Sequence, residues 1–185
     1  MHQIPLSLLL LLLICPLQTV LATTCSFRNE LASLSWKVRD NELEIHFEHN
    51  NLTESRWTSI AFGDGPGMNN LEAIIFSRGD NAEVTTSTGF TPKKKRVVVD
   101  DVAYVTVKNV SVTGNQLKVT VTRPLGPAGP RDFSLNQCVN WIIVPGGNLK
   151  DGKFHKHHGK LFTIKSVCAA KCTSFTRRLL SNRIE

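Results

Sequence analysis

Alternation of apolar and polar residues with a period of two constrains this chain most, and it begins early. Leu34, Trp36 and Val38 alternate with polar neighbours, and Leu43, Ile45 and Phe47 alternate with Glu44, His46 and Glu48. Successive side chains on a strand point to opposite faces, so this is the pattern of half-buried strands, with Asp40-Asn41 as the turn between them. Segment 56–63 ends in the turn-rich loop Asp64-Gly-Pro-Gly-Met-Asn-Asn70. Segment 71–77 (Leu-Glu-Ala-Ile-Ile-Phe-Ser) is almost continuously apolar, which suits a strand covered on both faces. Further strands are predicted at 97–100, 104–113, 117–123, 139–144 and 161–167, with Gly114-Asn115 as a two-residue hairpin link. No amphipathic helix interrupts them. The expectation is an all-β fold, an antiparallel β-sandwich of about nine or ten strands.

Residues 1–22 contain the apolar run 6–14 and end in Val20-Leu21-Ala22, the pattern of a cleaved secretory signal peptide. No later stretch offers the roughly 20 apolar residues a membrane-spanning helix needs. The expected product is one soluble, secreted domain over 23–172, followed by a basic, flexible tail over 173–185. Cys15 leaves with the leader, so Cys25, Cys138, Cys168 and Cys172 form an even set, which in an oxidising compartment implies two disulfides. Three connectivities are open, with Cys25 to Cys168 or Cys172 preferred because it ties the ends together. The sequons Asn51-Leu-Thr53 and Asn109-Val-Ser111 are N-glycosylation acceptors. The net charge of +7 suits acidic glycans, anionic surfaces or acidic proteins, and the secretory address argues against nucleic acid. It also makes the run Pro92-Lys-Lys-Lys-Arg96 irrelevant as a nuclear signal.

Several motifs invite a functional reading. His155, His157 and His158 fall within Gly152-Lys-Phe-His-Lys-His-His-Gly159, read as a loop. Three clustered imidazoles can serve a metal or a haem, although adjacent histidines rarely converge on one zinc ion without a distant carboxylate. His46, between two glutamates, reads as surface. Arg78-Gly79-Asp80 matches the integrin-binding tripeptide, but glycine and aspartate are ordinary turn residues. Nothing resembles a Gly-x-Ser-x-Gly elbow, an H-E-x-x-H helix or a phosphate-binding loop, so no independent catalytic activity is expected. Cys168-Ala-Ala-Lys-Cys172 is not a C-x-x-C motif and no C-x-x-C-H occurs, so any haem would be held non-covalently.

The succession Leu34-Ser-Trp36, Leu43-Glu-Ile-His-Phe47, Trp57-Thr-Ser-Ile-Ala-Phe-Gly63, Met68, Ala73-Ile-Ile75, Val119-Thr-Val-Thr-Arg-Pro-Leu125, Trp141 and Phe154-His-Lys-His157 resembles the DOMON domain family. The resemblance implies an immunoglobulin-like β-sandwich. In several members haem b sits between a loop methionine and a late histidine, and other members are thought to bind sugars. The methionine falls on Met68 and the histidine on His157, which follows a lysine as the family's does; His158 and His155 are reserves. The family's aspartate after the methionine is replaced by Glu72 one step earlier, which would alter the pocket rim. The transmembrane haem-bearing domain of some relatives has no counterpart in this sequence. Thioether and imidazole together make a low-spin axial pair that leaves no open coordination site, favouring electron transfer over catalysis. The implied function is extracellular one-electron transfer to a redox partner; the alternative is a haem-free module binding glycan through the same loops. Trp57 and Trp141 read as core residues, either of which could line the pocket.

Overall fold

The computed structural model describes residues 25–64, 68–92 and 97–173. The leader at 1–22, the basic residues 93–96 and the tail from 174 lie outside the described residues. Twelve strands occur in chain order: β1 (Ser26–Arg28), β2 (Ala32–Arg39), β3 (Glu42–His49), β4 (Arg56–Phe62), β5 (Leu71–Arg78), β6 (Val84–Thr91), β7 (Val98–Val99), β8 (Thr106–Thr113), β9 (Gln116–Pro124), β10 (Val139–Lys150), β11 (Lys153–His157) and β12 (Phe162–Val167). The only helical element among the described residues is a 3-10 turn at Ala169–Lys171. The strands exceed the sequence expectation because β1 is short, β6 is rich in threonine, and β11 is the segment read as a histidine loop.

The strands form two antiparallel sheets. The first has the order β1-β2-β3-β9-β8; the second runs β11-β10-β4-β5-β6-β7, with β12 also paired to β10. Alternate residues of β2 and β3 are buried, as their period-two pattern requires. Leu34, Trp36, Leu43, Ile45 and Phe47 therefore face Ile60, Phe62, Ile74, Phe76, Trp141 and Ile143 of the second sheet, making the core of the sandwich. Trp141 lies 4.7 Å from Trp36 and 5.1 Å edge-on from Phe62, measured between ring centroids. Among the described residues neither the Trp36 nor the Trp141 indole N–H has an acceptor. That is a cost of about 1–3 kcal/mol each, borne because each ring buries roughly 150–250 Å².

Both faces of the central strands β4, β5 and β10 are covered, which explains the apolar runs of β5 and β10; in β4 the buried Thr58 hydroxyl is satisfied by donating to the Val144 carbonyl at 2.6 Å. Their outward residues form a second apolar layer on the far side of the second sheet. At the margin of the fold, Cys25 is bonded to Cys172 and Cys138 to Cys168. The first bond joins the two ends of the described chain, and Val38 N–H donates to the Cys172 carbonyl beside it. Gly114 has φ of 60° in the two-residue link between β8 and β9, the left-handed conformation that such a hairpin turn demands.

Candidate functional site

The second apolar layer is built from Trp57 and Ala61 of β4, Leu71, Ala73 and Ile75 of β5, and Ile142 and Val144 of β10. Met68, Val97, Phe154 and Leu161 pack on it from the surrounding segments. Met68 thus reaches the layer from the loop between β4 and β5, and Phe154 and Leu161 reach it from either side of the three histidines. The site lies on the outer face of a sheet, not among the loops at one end of the sandwich.

The pairing of β10 with β11 aims the histidine. Gly147 stands opposite His157 and Leu149 opposite Phe154, so two steps along β10 match three along β11. This β-bulge matters because residues three apart on a regular strand point to opposite faces. With the extra residue absorbed, both Phe154 and His157 fall on the outer face, since Gly147 is also the partner of Trp57. The Trp57 ring meets Phe154 edge-on at 5.8 Å and its indole N–H donates to the His155 carbonyl at 3.0 Å. A Cβ on Gly147 would lie 2.6 Å from Trp57 Cε2 and 2.8 Å from the His155 oxygen, so only glycine lets the ring lie flat across β10.

His157 is partly buried, and its Nδ1 is shielded from solvent with no hydrogen-bond partner among the described residues. Burial and then the Lys156 charge push its pKa below the usual histidine value; a Gly159 backbone contact opposes them and His158 adds to them. The shift favours the neutral ring, the form that has a lone pair to donate. His158 is exposed, while its backbone N–H is tied to the Gly146 carbonyl at 2.7 Å. His155 contributes its carbonyl to Trp57. Among the described residues no group of three or more His, Cys, Asp or Glu side chains is placed to hold a metal ion.

Other residues singled out by sequence have structural employment. Glu72 faces the core side of β5, away from Met68. It forms a bidentate pair with Arg131, whose guanidinium also binds Asp100 at 2.9 and 3.1 Å and lies over Phe90. It is no part of a rim around Met68, and this is how its displacement by one step from the family's aspartate changes that rim. Arg123, in the Arg-x-Leu strand end, is buried and donates to the carbonyls of Pro124 and Phe133, pinning the 128–135 loop. Arg78 is buried too and donates to the carbonyls of Leu52 at 3.1 Å and Gly114 at 2.8 Å. Its guanidinium is unavailable to an integrin, and Asp80 is held by Ser55. His46 is bonded to Glu44 and Thr120 on the solvent face of the first sheet. Trp141 is core, as read, and Trp57 is the tryptophan that lines the outer layer.

The bulge and Gly147 are the features the sequence reading missed. Pro145-Gly146-Gly147 was their available signal, since glycine inside a strand pattern marks a bulge or a close approach.

The DOMON domain family matches residues 28–147 of this sequence, from the last residue of β1 to Gly147 in β10. The chain belongs to the DOMON domain family. The DOMON domain-containing protein Y73F4A.1 of Caenorhabditis elegans is 68% identical over 163 residues, 88% of this chain and 90% of that protein. The DOMON domain-containing protein CBG21755 of Caenorhabditis briggsae is also 68% identical, over 88% of this chain and 89% of its own length. Among solved structures, this DOMON domain is similar in fold to the cytochrome domain of Myriococcum thermophilum cellobiose dehydrogenase. The TM-score is 0.60 at 13% identity, covering 82% of this chain and 84% of that one.

Proposed function

We propose that this DOMON domain is a secreted one-electron carrier that binds haem b non-covalently, with Met68 and His157 as the axial pair. The observation that carries the reading is the outer apolar layer, on which Met68 packs and to whose face the β10–β11 register turns His157, an imidazole with an unpartnered, solvent-shielded nitrogen. Ala61 and Ala73 are the small residues of this face, beside the Trp57 ring seated on Gly147. When bound, haem supplies a one-electron couple, and thioether with imidazole favours a high potential without an open site for oxygen. The chain's own residues do the rest. Trp57, Phe154 and Leu161 exclude water, and the bulge in β11 fixes the imidazole on the outer face.

Resemblance in fold to a cytochrome domain supports the same reading. Two disulfides suit an oxidising, extracellular setting, and among the described residues no helix is long and apolar enough to cross a membrane. Lys150, Lys153, Lys156, Lys160 and Lys165 are exposed around the histidine strand, so the redox partner would present an acidic surface. The test is titration of purified protein with haemin followed by reduction. Wild type gives a sharp low-spin spectrum, Met68→Ala and His157→Ala each lose it, and His155→Ala retains it. Broad, nonspecific haemin uptake by wild type sinks the reading and leaves the haem-free glycan-binding module, which a glycan array then tests.

A further inference from the structure

We infer that Asn109 carries an N-linked glycan whose task is to shield the β8 edge from pairing with another chain. A sheet edge presents unpaired N–H and C=O groups and recruits strands unless something blocks it. The margins of this sandwich differ in how they are blocked. β1 has three residues and β7 two, too short to template much. The β11 and β12 margin is broken between its two strands and studded with exposed lysines. β8 is a run of eight residues, about 27 Å long, at the open side of the first sheet.

β8 also carries apolar surface. Every large hydrophobic that the described residues leave exposed lies between 98 and 110: Val98, Val99, Val102, Tyr104, Val107 and Val110. Register explains this. Val107 and Val110 pair with Val121 and Val119, which are core residues, so both valines face the space between the sheets. The opposing sheet ends in the two residues of β7 and cannot cover them. A long edge strand with bare valines beside it is an association site. The protein chain supplies only a bulge between Val107 and Asn109 and the single charge of Lys108 against it.

The sequon completes the protection. Asn109 and Ser111 are exposed and pair with Thr120 and Lys118 on the solvent face of the sheet. The Asn109 carboxamide has no hydrogen-bond partner among the described residues, so a glycan displaces nothing. A branched, hydrated oligosaccharide rooted at the middle of the strand sweeps the volume a second strand would enter. Asn51 lies in the turn after β3, beside the tip of the β8–β9 hairpin and off the length of β8, and a glycan there has no such role.

Protein secreted from eukaryotic cells is treated with peptide-N-glycosidase in heavy-oxygen water and mapped by mass spectrometry, and light scattering on a sizing column reads its association. Asn109 is marked as glycosylated and the wild type is a monomer. Asn109→Gln and Ser111→Ala both shift towards dimer and larger species with rising concentration, whereas Asn51→Gln stays monomeric. Adding Val110→Lys to the Asn109→Gln protein returns it to monomer by putting a charge on the bare edge. An unmodified Asn109 overturns the inference. So do glycan-free variants that stay monomeric, equal association by Asn51→Gln, or association that survives Val110→Lys. None of these readouts depends on haem.

Discussion

Gly147 and His49 show how single residues hold the second sheet and its outer layer in register. At Gly147 the place of a side chain is taken by the Trp57 ring, 2.6 Å from where a Cβ would sit. Gly147→Ala must push the indole off the strand, break its hydrogen bond to His155 and disturb Phe154. The expected loss is about 1–3 kcal/mol, typical of overpacking, read as a lower denaturant midpoint; under the proposed haem-binding function haemin affinity falls alongside. An unchanged midpoint would mean that the ring is not seated on the glycine. His49 is buried at the end of β3; Nε2–H donates to the Pro145 carbonyl at 2.8 Å and Nδ1 accepts from Asn51 N–H at 3.3 Å. Both nitrogens are in use only in the neutral ring. Burial pushes its pKa below 6.5, with the Pro145 bond opposing. Between the folded pKa and 6.5 the unfolded chain therefore binds more protons than the folded one, so stability rises with pH through that window. Its contribution is complete above 6.5, is lost as pH falls towards the folded pKa, and is level below it. Denaturant midpoints taken across this range should slope upward in wild type and less steeply in His49→Gln. Parallel slopes would exonerate His49.

At the scale of elements, what was legible in the sequence follows from which force shapes each strand. β2 and β3 alternate strictly because one face is core and the other water, and they were read residue for residue. β5 was readable as a doubly covered strand and β10 as a buried one from their apolar runs, although nothing local told which outward residues of these strands and of β4 would gather into a second layer. β6 escaped because Thr85, Thr86, Ser87 and Thr88 carry no hydrophobic rhythm; it is a strand through its full ladder with β5. β11 escaped for a different reason. Its charged and imidazole-rich sequence reads as solvent-exposed loop, and only pairing to β10, with a bulge, makes it a strand. Pairing partners are long-range facts that periodicity does not carry. Hence Met68 and His157 could be nominated from family resemblance, while the face to which β11 turns His157, and the assignment of Glu72 to Arg131, depended on register. The tripeptide at Arg78 teaches the same lesson, since burial of its guanidinium under the Leu52 and Gly114 carbonyls is invisible in three letters.

For the whole molecule, the two disulfides divide the work of closing the sandwich. Cys25–Cys172 spans 147 residues and Cys138–Cys168 spans 30. In the chain-entropy account a cross-link stabilises by shrinking the unfolded ensemble, growing with the logarithm of the loop, which gives about 5 and about 4 kcal/mol respectively. The difference in the folded state is larger than that arithmetic suggests. Cys138–Cys168 joins neighbours already held by the ladder of β10 with β12, where Val139 pairs with Val167. Cys25–Cys172 has little ladder to lean on: β1 is three residues long, and beyond the 3-10 turn the chain touches the first sheet through the Val38 bond to Cys172 and a bridge to Thr173. Replacing Cys25 and Cys172 together by serine should therefore do two things. The denaturant midpoint falls by an amount worth roughly 2–5 kcal/mol, and hydrogen exchange speeds up at Ser26–Arg28 and over residues 169–173 while β4 and β5 stay protected. Replacing Cys138 and Cys168 should lower the midpoint without that local fraying. Exchange that quickens evenly across both sheets in the first variant would show that the bond supports the whole sandwich and not its outermost strand.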